Sequence, residues 1–248
     1  MKRVDAYRQQ LRAMDDWDAF LLQESGLPGP RGNIELARAV ADEGEREHFT
    51  SYLSNDPDSA PTNSPYEFLA FCGVLGQGRL LVEGDEEALE ILHTFASDPR
   101  WRVREAVAMA LQRFGGSDMD ALLKEMAKWS RGNRLEQRAA AAGLCEPALL
   151  GEAVQVERVL GILDRITASM LAEKDRRSGE FQALRKGLGY CWSVAVVALP
   201  RQGKAFMEKW LGSDDRDVQW VMKQNLRKKR LERMDPEWVR YWRGELGI

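Results

Sequence analysis

Between Asp98 and Leu111 the chain reads Asp-Pro-Arg-Trp-Arg-Val-Arg-Glu-Ala-Val-Ala-Met-Ala-Leu, and this stretch restricts the possible folds more than any other. Asp98 is suited to cap a helix, and Pro99 fits the first turn because the N–H it lacks has no intrahelical acceptor there. Val103, Ala106, Val107, Ala110 and Leu111 then fall at i, i+3, i+4, i+7 and i+8, one face of an α-helix. Alanines make up much of that face, so a second helix can approach closely. A helix of this kind cannot bury its stripe alone and needs neighbours of the same type.

The unit recurs. After the turn Ser130-Arg131-Gly132-Asn133, the residues Leu135, Arg138 and Ala139 to Ala142 repeat the pattern, with Arg138 lying 34 residues beyond Arg104. That interval suits a repeat built from two antiparallel helices. A third copy follows the acidic turn at Asp214-Asp215, where aligning Val218 with Val103 sets Leu226 against Leu111. No strand alternation or βαβ pattern interrupts the helical stripes. The expected fold is all-α, an α-solenoid of antiparallel helix pairs. The stretch at 98–111 resembles the second helix of a HEAT repeat, and the resemblance extends more loosely over about Ala88 to Arg230. It implies a helical-repeat scaffold with inter-repeat contacts at Asp98 and Arg104.

Elsewhere, Val4, Tyr7, Leu11, Met14, Trp17, Phe20 and Leu21 predict one amphipathic helix over 4–24. A second helical stretch runs from about Ile34 to Val40. Residues 54–65 carry three prolines and no periodic apolar residues, which reads as a long loop. It divides an N-terminal helical cap, 1–60, from a repeat array, 61–248. Gly187 and Gly189 fall inside an otherwise helical segment; each costs about 1 kcal/mol relative to Ala, so close helix contact is their expected role.

Composition excludes several classes. No apolar run reaches the roughly 18 to 20 residues of a membrane-spanning helix, and an opening that turns polar at once, Met1-Lys2-Arg3-Val4-Asp5, is not that of a secretory leader. Cys72, Cys145 and Cys191 are widely spaced, as expected of buried thiols in a cytoplasmic protein. Net charge is −3 but unevenly distributed: residues 1–98 hold 8 Lys/Arg and 19 Asp/Glu, and residues 99–248 hold 28 and 20. The second part could steer an anionic partner, or the two ends could simply offset each other.

Catalytic parts are scarce. His48 and His93 are the only histidines, and neither has a second ligand at helical spacing, so no metal site is expected. Gly73-Val74-Leu75-Gly76-Gln77-Gly78 lacks the Lys-Ser/Thr of a phosphate loop, and no nucleophile elbow or dinucleotide fingerprint occurs. No cofactor is expected.

Two constellations remain. Trp101 and Glu105 share a helical face, Arg138 falls one repeat later, and Trp192 lies one or two helices beyond. The set is similar to that of helical-repeat DNA glycosylases of the AlkD type. The resemblance implies aromatic side chains against a nucleotide and a carboxylate, here Glu105, stabilising a cationic transition state. This chain departs from that family in carrying Glu rather than Asp and in lacking its aromatic-rich surroundings. The bland alternative is that Trp101, Arg104 and Trp192 serve repeat packing. The second constellation is Arg227-Lys228-Lys229-Arg230 on the last helix of the array, with Trp220, Trp238, Tyr241 and Trp242 near in sequence. It suits phosphate contact with base stacking, or equally a solvated helix end. The leading expectation is a non-catalytic module that binds a protein or nucleic-acid partner through helices at 100–113, 134–145 and 216–230; the alternative is a DNA repair protein acting on alkylated bases.

Overall fold

A computed structural model describes residues 3–248, and it is all-α; Met1 and Lys2, which entered the reasoning on a leader, lie outside the described residues. The helices are α1 (Arg3–Arg12), α2 (Asp18–Glu24), α3 (Ile34–Glu43), α4 (Arg46–Leu53), α5 (Pro65–Val82), α6 (Glu87–Phe95) and α7 (Trp101–Ser117) in a first compact unit that ends at Ser117. The second unit, Asp118–Ile248, holds α8 (Met119–Trp129), α9 (Arg134–Leu144), α10 (Ala153–Met170), α11 (Gly179–Ala198), α12 (Pro200–Leu211), α13 (Arg216–Leu226), α14 (Lys229–Met234) and α15 (Pro236–Glu245). A single 3-10 turn occupies Pro147–Leu149. No described helix is long and apolar enough to cross a membrane.

The first unit is built around α5. Every residue from Glu67 to Gly78 is buried, because this helix packs against α2, α3, α4, α6 and α7. A helix apolar on all sides is an interior helix. Its glycines make that possible: a Cβ at Gly76 would meet the Phe49 ring of α4, and one at Gly78 would lie 2.6 Å from the Ala110 Cα of α7. The glycine-rich segment is thus a packing surface. Helices α3 and α4 lie against α5 within this unit.

The single helix expected over 4–24 is two. Between α1 and α2 the Asp16 carboxylate accepts the backbone N–H of Asp18 at 3.0 Å, and the Trp17 indole donates to the Leu11 carbonyl at 3.0 Å. Side chains that bond the local backbone compete with the helical ladder, and here they redirect the chain. The 54–64 segment is a loop as expected, but an anchored one. Arg100, only 1% exposed, donates to the carbonyls of Asn55 and Ala60 while a two-pronged pair with Asp98 neutralises it. Asp98 also accepts the Arg100 backbone N–H at 2.7 Å, so it shapes the turn into α7 as its sequence position suggested.

In the second unit α9, α11 and α13 lie side by side, and α8, α10 and α12 form the companion row. Each helix of the first row packs on a sequence neighbour of the second, the arrangement of stacked helix pairs. The aligned positions Val218 and Leu226 are fully buried, as are Val103 and Leu111 in the first unit. Gly189 fulfils its expected role, since a Cβ there would lie 3.2 Å from both Gln224 and Trp220 of α13. All three cysteines are free and buried.

Candidate functional site

In the first unit, α7 presents Trp101 and Glu105 one turn apart, and both line one cavity of about 290 Å³ together with Leu27, Ile34, Phe68 and Phe71. One lining residue, Arg102, is held by a buried ion pair. Arg102 Nη1 lies 3.2 Å from Glu67 Oε2 with both side chains buried, and Arg102 Nη2 donates to the Gly29 carbonyl at 2.7 Å. Those contacts tie the 26–33 turn to α5 and α7. The Trp101 ring packs over the Arg102 guanidinium at 4.4 Å yet stays 47% exposed. A half-exposed tryptophan beside an apolar hollow is a surface that can take a ligand or a partner side chain. Arg104 turns back instead: its Nη1 donates to the carbonyls of Asp98 and Pro99, in the turn that leads into its own helix.

In the second unit the sequence candidates separate. Trp192 is fully buried, donating from Nε1 to Thr167 Oγ1 at 3.0 Å. It is a core residue, and a stacking role on a ligand is corrected on that ground: its neighbours α9, α10, α12 and α13 surround α11 and close over the ring. Arg138 is also buried, its Cγ 3.5 Å from where a Cβ on Gly187 would sit. The set that the glycosylase resemblance requires is therefore displayed only in part, as Trp101 and Glu105 on one cavity wall.

The basic run is not on one helix. Arg227 is the C-cap of α13, Lys228 is the residue before α14, and Lys229 and Arg230 open α14. The break places Arg230 beside α11, where its Nη2 donates to the Tyr190 hydroxyl at 2.8 Å and its guanidinium lies 4.6 Å from the Tyr190 ring centre. The Lys228 ammonium is 5.6 Å from the same ring. Tyr190 is 43% exposed. One turn back along α11, Arg185 sits over the Trp220 ring of α13 at 4.1 Å and pairs with Asp217 at 2.7 Å. Each of the two rings thus carries a cation, Tyr190 from the turn into α14 and Trp220 from α11. Tyr190 and Arg185 were missed in the sequence because both fall within a segment dominated by its apolar stripe; their i, i+5 spacing carries no periodic signal.

His48 has a structural duty. Its Nδ1 accepts the Glu45 backbone N–H at 3.1 Å, closing a capping box on α4, and its ring stacks on Trp17 at 4.5 Å. Among the described residues no group of His, Cys, Asp and Glu is arranged to hold a metal ion.

The fold so described is that of the all-α, helical-repeat proteins of the α-solenoid class. A family model for HEAT repeats matches residues 65–144, which span α5 to α9, so this stretch carries HEAT-type helical repeats. No curated protein and no solved structure matches the chain.

Proposed function

We propose that the protein is a non-catalytic HEAT-repeat binding module whose second unit receives the phosphate backbone of a nucleic acid along the α11 and α13 surface and the turn into α14. Tyr190 carries this reading. A half-exposed aromatic ring with the Arg230 guanidinium and the Lys228 ammonium over it puts an aromatic group and two phosphate-neutralising charges in one place. Charge agrees in sign, because residues 118–248 contain 24 Lys/Arg against 19 Asp/Glu. An acidic protein segment would use the cations but not the ring.

The test is fluorescence anisotropy with labelled single-stranded and duplex DNA at about 50 mM and about 200 mM salt. Saturable binding that weakens steeply with salt supports the reading. Absence of binding at the lower salt overturns it, and binding of an acidic peptide in its place would assign the surface to a protein partner.

A further inference from the structure

A second opening, in the first unit, has the opposite chemistry. Asp15 and Asp16 from the α1 to α2 connection, Asp18 at the start of α2 and Glu47 from α4 line a hollow of about 240 Å³, and among the described residues none of the four carboxylates is in an ion pair. Local structure accounts for one of them, Asp16, whose Oδ1 holds the Asp18 N–H. The wall includes the Trp17 and His48 rings, stacked at 14°. His48 Nδ1 accepts the Glu45 N–H, so that nitrogen offers no donor to the carboxylates. The fourth feature is Tyr52, which lines the hollow and is 2% exposed, yet its hydroxyl makes no hydrogen bond of ordinary geometry. Burial first, then the Asp18 carboxylate, raises its pKa, so the hydroxyl keeps its proton. A buried hydroxyl left without a partner is costly unless something else supplies one.

We propose that this hollow receives a guanidinium group, the arginine side chain of a partner peptide lying on the acidic first unit. Four carboxylates and a hydroxyl oxygen match the several in-plane donors of a guanidinium better than the single point charge of an ammonium. The arrangement does not suit a metal ion, for no ligand set is gathered there among the described residues. The peptide source follows from charge: residues 1–117 contain 20 Asp/Glu against 12 Lys/Arg, so flanking basic residues of a peptide are attracted where a lone guanidinium would gain little.

The experiment is calorimetric titration of the full chain with three probes: a capped pentapeptide with a central arginine and a flanking lysine, its central-lysine counterpart, and acetyl-arginine-amide. The arginine peptide is expected to saturate and to bind at least about threefold more tightly than the lysine peptide. In the variant Asp15→Asn, Asp18→Asn, Glu47→Gln its affinity should fall about tenfold or more; Asp16 is retained there to keep its backbone contact, and circular dichroism reports whether the fold is kept. Tyr52→Phe removes a buried hydroxyl that makes no hydrogen bond of ordinary geometry, so it should hold or raise stability while weakening the arginine peptide about threefold; this second variant decides the matter if the first misfolds. Equal affinity for the two peptides, or no loss in Tyr52→Phe, overturns the proposal. If acetyl-arginine-amide binds as tightly as the peptide, the peptide source is overturned in favour of a small guanidinium ligand.

Discussion

The side-chain oxygen of Asn225 in α13 accepts the backbone N–H of Ser193 in α11 at 2.8 Å. The amide nitrogen of the same residue donates to the Leu188 carbonyl of α11 and to the Val221 carbonyl of its own helix, each at 2.8 Å. Asn225 is fully buried, so one carboxamide meets all its hydrogen-bonding needs inside the core and joins two adjacent helices of the row. Asn225→Ala should cost about 2 to 4 kcal/mol in urea-melt stability, because it leaves a buried donor and a buried acceptor of α11 without partners. A loss below about 1 kcal/mol would mean that α11 rearranges to satisfy its own backbone.

Two helical glycines should respond to alanine with opposite signs. At Gly78 a Cβ would stand 2.6 Å from the Ala110 Cα, backbone that cannot turn aside, whereas at Gly161 of α10 nothing lies within 4 Å. Gly78→Ala is expected to destabilise by about 1 to 3 kcal/mol through overpacking. Gly161→Ala should stabilise by about 0.5 to 1 kcal/mol through helix propensity. Thermal melts of the two variants beside the parent chain distinguish them.

Acid should weaken the second unit. The hydrogen bond from Arg134 holds Glu173 below its ordinary 4.5, and that from Lys204 holds Asp235 below its ordinary 3.8. Carboxylates depressed in the folded state contribute stability that is complete above those ordinary values and is lost as pH falls through the lower folded-state values. Urea midpoints should therefore be level from neutral pH to about pH 5 and decline below it. In the double variant Arg134→Met, Lys204→Met the decline should be shallower; an unchanged slope would place the acid-sensitive groups elsewhere.

On the proposed nucleic-acid surface, Lys228→Gln with Arg230→Gln should lower DNA affinity for all sequences alike and reduce the salt slope by about 1 to 2. Tyr190→Ala should weaken single-stranded DNA by about 1 to 3 kcal/mol while leaving the salt slope unchanged, because a lost stacking face releases no counterions. Trp192→Phe, in the core, serves as a contrast: it should alter stability by losing the bond to Thr167, with no change in affinity beyond that of the folded fraction.

The helical class, the repeat seen at Arg104 and again at Arg138, the turn role of Asp98 and the close packing at Gly189 were all legible in the sequence. Each is a local matter: stripe spacing, capping chemistry and the missing side chain of glycine express themselves within a few residues. The same local rules misled between residues 13 and 17, where an unbroken apolar stripe concealed a helix break held by Asp16 and Trp17. Which aromatic residues face out was not legible at all. Trp101, Tyr190 and Trp192 are each flanked by apolar and charged residues, yet Trp192 ends in the core while the other two remain half-exposed. Only tertiary structure decided this, because a helix in a stacked row is covered by whichever neighbours reach it. The same holds for Arg230 on Tyr190, for Arg102 on Glu67, and for the four carboxylates gathered around Tyr52. Sequence determined that the chain must stack helices, since no single pair can bury its own stripe; the stacking determined which side chains were left over to meet a partner.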